Sequence, residues 1–349
     1  MEVDFGGGGE IRFEREGRAG IVTLARPKSL NAVTHRMVLA LERALDAWRA
    51  DATVAAVVIR AEGRAFSAGG DIVDIYNAGR AGNPPVRFFA DEYRLNARIA
   101  AWPKPYVALI DGIAMGGGVG VSYHGSHRVV TEKAVFAMPE VGIGFFPDVG
   151  GSHLLSRLKG SFGLFLALTG TRVRWGDQLR CGLATHAVRA ERLGELTAAI
   201  ARDGDPDAAL KAVSETPAPE TDEARLFAIE KHFSLGSLDA VVASLEAAGA
   251  DDAFAADMLA ALRAKSPTSL RVAFAQVTAG AALDMEECMR MEFRILNRML
   301  EGPDFYEGIR AAVIDKDNAP VWRPADLAAI DAAAVERFFA PLPGGELEL

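Results

Sequence analysis

Two glycine turns and a pair of carboxylates are the residues best suited to chemistry. Ala65-Phe-Ser-Ala-Gly-Gly-Asp-Ile72 and Gly112-Ile-Ala-Met-Gly-Gly-Gly-Val-Gly120 each set a glycine turn after an apolar stretch. Glycine lets a ligand approach the main chain, and the first N–H groups of a helix have no internal partner. Two such turns can aim two backbone donors at one carbonyl oxygen, forming an oxyanion hole. That chemistry acts on an acyl group, most naturally an activated one such as a thioester. The bland alternative for the triplet Gly116 to Gly118 is close strand–helix packing. Further on, Glu140-Val-Gly-Ile-Gly-Phe-Phe-Pro-Asp148 carries two carboxylates with no basic neighbour in sequence. Apolar surroundings disfavour their charged forms, which is how a general acid or base is tuned. Asp148 could instead cap a helix beginning near Ser152.

These groups need elements to hold them. The apolar runs over 55–60 and 106–110 predict buried strands leading into the two turns. Upstream, alternation over 11–15, a turn at Gly17-Arg-Ala-Gly20 and the run 21–24 predict a hairpin. Thr34 caps a helix with Met37, Leu41, Leu45 and Trp48 at helical spacing. Gly79, Gly82, Pro84 and Pro85 predict a loop over 76–87, followed by a helix over 88–102 that Pro103 and Pro105 stop. Residues 127–131 and 134–138 are two further strands. Strands alternating with helices predict an α/β core with crossovers. From Leu154 onward the pattern is helical, with amphipathic stretches over 190–212 and 223–263. Helices capped at Ser266 and running over 285–299 follow, and a last short one begins near Tyr306. The division expected is a flexible tail over 1–9, a core over 10–212 and a helical C-terminal region over 213–349.

Half of the 349 residues are hydrophobic, enough for a sizeable core. The 38 Lys and Arg against 47 Asp and Glu give a net charge of −9. That argues against a nucleic-acid partner, yet leaves room for an anionic small molecule held by local Arg and Lys. Two cysteines, Cys181 and Cys288, indicate a reducing, cytoplasmic setting rather than a disulfide framework. No positive stretch followed by an apolar core opens the chain, and the apolar runs are interrupted by Asp, His or Arg. No membrane partner is therefore expected. His124-Gly-Ser-His127 has no acidic or Cys partner at zinc-like spacing, so no metal is expected. A Gly-x-Ser-x-Gly elbow, a phosphate loop and a dinucleotide fingerprint are all missing.

With these residues in view, the chain resembles the crotonase (enoyl-CoA hydratase/isomerase) superfamily, and within it the 3-hydroxyisobutyryl-CoA hydrolase subgroup. The two glycine turns carry the likeness. Arg26-Pro-Lys-Ser-Leu-Asn-Ala32, Lys104-Pro-Tyr-Val-Ala-Leu-Ile110, Phe136-Ala-Met-Pro-Glu140, Phe146-Pro-Asp-Val-Gly-Gly151, Leu166-Ala-Leu-Thr-Gly170 and Ile314-Asp-Lys-Asp-Asn-Ala-Pro-Val-Trp322 extend it over nearly the whole chain. The resemblance implies an α/β fold with a crotonase-like ββα spiral core and a helical C-terminal region. Gly70 and Gly117 match the oxyanion-hole positions. Glu140 matches the carboxylate poised at the thioester, Asp148 the subgroup's second acid, and Glu92 a residue lining its substrate pocket. Lys28, Ala68 and Ile72 match CoA-binding positions, with the adenine near the Ala68 turn.

Hydratases of the superfamily carry a further glutamate where this chain has Gly120, and the hydrolase subgroup lacks it too. The implied reaction is hydrolysis of a short 3-hydroxyacyl-CoA to free acid and CoA, as in valine breakdown. Glu140 either attacks the carbonyl or activates a water, and Asp148 orients the hydroxyacyl group or shuttles a proton. Hydration or isomerisation of another acyl-CoA is the alternative, and a non-catalytic acyl-CoA-binding member is a third. No cofactor is implied, CoA being part of the substrate. Superfamily members often form trimers or paired trimers, which leaves a homo-oligomer open.

Overall fold

The computed structural model describes residues 1–349. Eleven strands occur in chain order: β1 (Glu2–Val3), β2 (Ile11–Glu16), β3 (Ala19–Leu24), β4 (Ala56–Ala61), β5 (Ala65–Ser67), β6 (Tyr106–Ile110), β7 (Ile113–Met115), β8 (His127–Val130), β9 (Val135–Ala137), β10 (Val173–Arg174) and β11 (His186–Ala187). Seven form one sheet in the order β1-β2-β3-β4-β6-β8-β11, and four form a second in the order β10-β9-β7-β5. The hairpin end of the large sheet is antiparallel, and from β3 to β11 the pairing is parallel. Parallel strands need crossovers, and the His35–Ala50 helix supplies the one from β3 to β4. Thr34 accepts a hydrogen bond from the Met37 N–H at 3.2 Å, the cap expected from the sequence.

The chain divides into two compact units. The first comprises residues 1–71, 91–136 and 173–220, and the second 72–90, 137–172 and 221–349. In the first unit, alternate residues of the large sheet, among them Ile21, Val58, Val107 and Leu109, point to one face. Leu196, Ile200, Leu210 and Val213 from the helices Leu193–Asp203 and Pro206–Val213 cover that face. The second unit is helical, built mainly from Phe162–Thr169, Pro267–Gly280, Met285–Glu301 and the pieces between them. No helix is long and apolar enough to cross a membrane.

Three local expectations differ from the structure. The segment 1–9 is tied down rather than loose: Glu2 pairs with Glu14, and the Phe5 ring meets Phe13 and Trp48 edge-on. The stretch 76–87 is not all loop, because Ile72–Arg80 is helical. Gly79 is there for space, since a Cβ would stand 2.4 Å from the Tyr306 ring. The long amphipathic stretches break at Gly204-Asp205-Pro206, at Ser234 to Ser237 and at Gly249 to Asp252, each time with an Asp or Ser capping the next helix.

Candidate active site

In the first unit, β5 and β7 are parallel neighbours, with Ala65 opposite Ile113 and Ser67 opposite Ala114. Their C-terminal ends therefore deliver the two glycine turns side by side. Asn31 anchors the start of β5: it is fully buried, and its Nδ2 donates to the carbonyls of Glu62 at 2.8 Å and Ala65 at 2.9 Å. In the first turn Val33 bridges Gly70 in parallel, through Val33 N–H to Gly69 O and Asp71 N–H to Val33 O. That pairing uses the neighbours of Gly70 and not its own N–H, which is directed the other way. In the second turn the three glycines have three different reasons. Gly116 sits at φ 46° and ψ −128°, where a side chain is strained. A Cβ on Gly117 would stand 2.7 Å from Glu92 Oε1 and 3.5 Å from Gly70 N. A Cβ on Gly118 would stand 2.5 Å from Ser67 O. Close packing thus accounts for glycine at 117 and 118.

Gly117 opens a single helical turn, Gly117–Gly120, so its N–H has no carbonyl four residues back to meet. Gly70, Gly117 and the buried Glu92 carboxylate converge on one spot. Glu92 is carried by the Val86–Ala100 helix, which is anchored beside it where Asp91 Oδ2 meets His35 Nε2 at 2.7 Å. Of the positions expected to contact CoA, Ala68 is half-buried with its N–H on Leu30 O, and Lys28 is exposed on the Pro27–Ser29 turn.

In the second unit, Glu140 begins a 3-10 turn, Glu140–Ile143. That turn is fixed from two sides: Ser266 N–H donates to Val141 O at 3.2 Å, and Gly144 packs directly on the Asp304 carbonyl. Ile72, the last position expected to contact CoA, starts the Ile72–Arg80 helix. Glu140 is buried, and its Oε2 has no hydrogen-bond partner. Burial pushes its carboxyl well above the usual range, and the charges of Asp148 and Glu292 push the same way. A few residues on, the Phe145 ring packs at a tilt against both Phe146 and Phe305.

Asp148 is also buried, and the Gly150 and Ser152 N–H groups at the start of the helix Gly151–Leu155 are met by a distant carboxylate. Glu292 does that work from 140 residues away. Its Oε2 accepts the Gly150 N–H at 2.8 Å, and its Oε1 accepts the Ser152 N–H at 2.9 Å and the Ser152 hydroxyl at 2.6 Å. Burial lifts Glu292 to about 8 in spite of these three donors. Sequence reasoning missed this residue. The signal was present: Glu292 lies on the same helical face as the buried Cys288, Ile295, Leu296 and Met299, where an acid needs a partner.

The architecture and these residues are those of a crotonase-type protein. An enoyl-CoA hydratase/isomerase family model matches residues 19–339, and the chain belongs to that family. Among its relatives, the mitochondrial 3-hydroxyisobutyryl-CoA hydrolase of Danio rerio is 44% identical, over 98% of this chain and 92% of its own length. The Homo sapiens protein of the same name is 40% identical, over 97% and 90%. A crystal structure of a carnitinyl-CoA dehydratase from Mycobacterium thermoresistibile matches with a TM-score of 0.91 at 43% identity, covering 97% of this chain and 98% of that one. An enoyl-CoA hydratase from Rhodobacter sphaeroides 2.4.1 matches at 0.87 and 40%, covering 97% and 100%. The α/β fold expected from the sequence, with its helical C-terminal region, is the fold of these structures.

Proposed function

We propose that the chain hydrolyses a short 3-hydroxyacyl-CoA, of the 3-hydroxyisobutyryl type, to the free acid and CoA. The thioester carbonyl oxygen accepts the N–H groups of Gly70 and Gly117, which stabilise the negative charge that develops as the carbon becomes tetrahedral. Glu140, in its ionised form, attacks that carbon directly or takes a proton from an attacking water. The C–S bond breaks, and the CoA sulfur leaves as thiolate and takes up the proton lost by the water; in the direct route the acyl group first rests on Glu140 as a mixed anhydride, which water then cleaves to the free acid and the restored carboxylate. Asp148 orients the hydroxyacyl group or passes the proton. Lys28, Ala68 and Ile72 contact the CoA, and Glu92 lines the acyl pocket. The two N–H donors provide the electrophilic help, so the scheme uses no metal and no further cofactor. Two buried free cysteines suit a reducing, cytoplasmic setting.

Gly120 carries the choice of hydrolysis over hydration. It lies buried in the Gly117–Gly120 turn and offers no side chain where the superfamily's hydratases carry their second glutamate. The curated relatives' hydrolase names point the same way. Hydration remains the second reading on one observation: Glu92 brings a carboxylate to Gly117 from another element. One assay separates them. Thiol release is followed with 3-hydroxyisobutyryl-CoA and loss of enoyl absorbance with crotonyl-CoA. Rapid thiol release with slow or no enoyl loss is expected, and rapid enoyl loss without thiol release would overturn the assignment.

A further inference from the structure

Asp148 stands in a segment whose main chain is gripped on both sides by buried polar side chains of two C-terminal helices. Before it, the Gln276 Nε2 of the Pro267–Gly280 helix donates to Pro147 O at 2.6 Å. After it, Glu292 of the Met285–Glu301 helix holds Gly150 and Ser152 through three hydrogen bonds. Ser152 Oγ joins the two grips, donating to Glu292 Oε1 and accepting from Gln276 Nε2 at 3.2 Å. Gln276, Glu292 and Ser152 are all fully buried. A glutamate in the apolar face of a helix is costly, and its placement here fixes the segment carrying the proposed second acid of the site.

We propose that Glu292 and Gln276 are positioning residues for Asp148, clamping residues 147–152 so that its carboxylate is held in the productive geometry. The clamp acts by holding Asp148 in place, separately from the charge that Glu292 exerts on Glu140. This inference rests on the role given to Asp148 above. Displacement of a catalytic group by about 1 Å costs turnover on the order of 100-fold, so loss of the clamp should be read mainly in kcat.

The test is a double-mutant cycle on the full chain with 3-hydroxyisobutyryl-CoA, comparing the parent, Glu292→Gln, Asp148→Asn and the double variant. Single-turnover thiol release replaces steady-state rates where turnover is slow. Glu292→Gln should lower kcat by about 10- to 100-fold with KM nearly unchanged. In the Asp148→Asn background the same change should cost almost nothing further. An equal loss in both backgrounds, or a loss in KM rather than kcat, would make Glu292 a general structural residue and overturn the clamp. Full activity in Asp148→Asn would instead remove Asp148 from the mechanism, a failure of the reading beneath. Should Glu292→Gln not fold, Ser152→Ala removes only the hydroxyl joining the two grips and keeps the Ser152 N–H bond to Glu292. It must show the same pattern, with a kcat loss in the parent and none in Asp148→Asn, or the inference fails.

Discussion

Glu140 has its charged form disfavoured by burial first and by Asp148 and Glu292 after that. If it acts as base or nucleophile it must be ionised, so activity should rise with pH on a limb lying above the ordinary carboxylate range. Asp148→Asn removes one of the charges that raise it, and should move that limb to lower pH while lowering the plateau. A kcat profile of both proteins measures this, and an unmoved limb would separate Glu140 from Asp148. Glu140→Gln keeps the shape of the side chain and should cost about 100-fold or more in turnover with acyl-CoA binding largely kept. Near-normal thiol release by that variant would refute the mechanism. Gly117 is tested by its clearance. Gly117→Ala places a methyl 2.7 Å from Glu92 Oε1, so the glutamate must shift. Turnover should fall although the N–H donor is still present, and a fully active variant would show that the position of Glu92 is irrelevant.

The strand–turn units were legible element by element because their signals are local. An apolar run followed by glycines identifies β6 and the turn after β7, and Thr34 marks its helix by a cap three residues from the first apolar position. What was not legible depends on a partner distant in the chain. The helix at 72–80 hid behind Gly79, whose small size answers to Tyr306 and not to a turn. The cap of Gly151–Leu155 was assigned from proximity as an option for Asp148, whereas the group that fills it comes from the Met285–Glu301 helix. Likewise Gly118 reads as backbone access, yet it packs on Ser67 O at the foot of β5. Gly118→Ala forces the Gly117–Gly120 turn off β5. It should destabilise the fold by about 1–3 kcal/mol, as overpacking does, read as a lower urea midpoint. An unchanged midpoint would mean that the turn yields freely.

For the whole molecule, reading in chain order suggests consecutive regions, while the compact units are each assembled from three separated stretches. Hydrophobic patterning marks which residues are buried but not which distant stretch covers them, so interleaving of this kind leaves no trace in local sequence. The same holds for buried charge, whose effect appears only in the stability of the entire chain. His153, His186 and His232 are lowered by burial, so below their ordinary value of 6.5 the unfolded chain binds more protons and stability rises with pH. Glu292 works the other way: the folded chain keeps its proton up to about 8, while the unfolded chain has released it from about 4.5 upward. Glu140 adds to this in the same direction. The histidine contribution is complete only about one unit above 6.5, once the unfolded imidazoles have lost their protons, and from there only the carboxylates remain. Stability should therefore fall as pH rises from about 7.5 to about 8, by at most about 1.4 kcal/mol per pH unit for each retained proton. Urea midpoints across that window measure the slope, and Glu292→Gln should flatten it. A parent protein whose stability holds level or rises from about pH 7.5 to about 8 would mean that Glu292 is already ionised in the folded chain, its three donors outweighing burial.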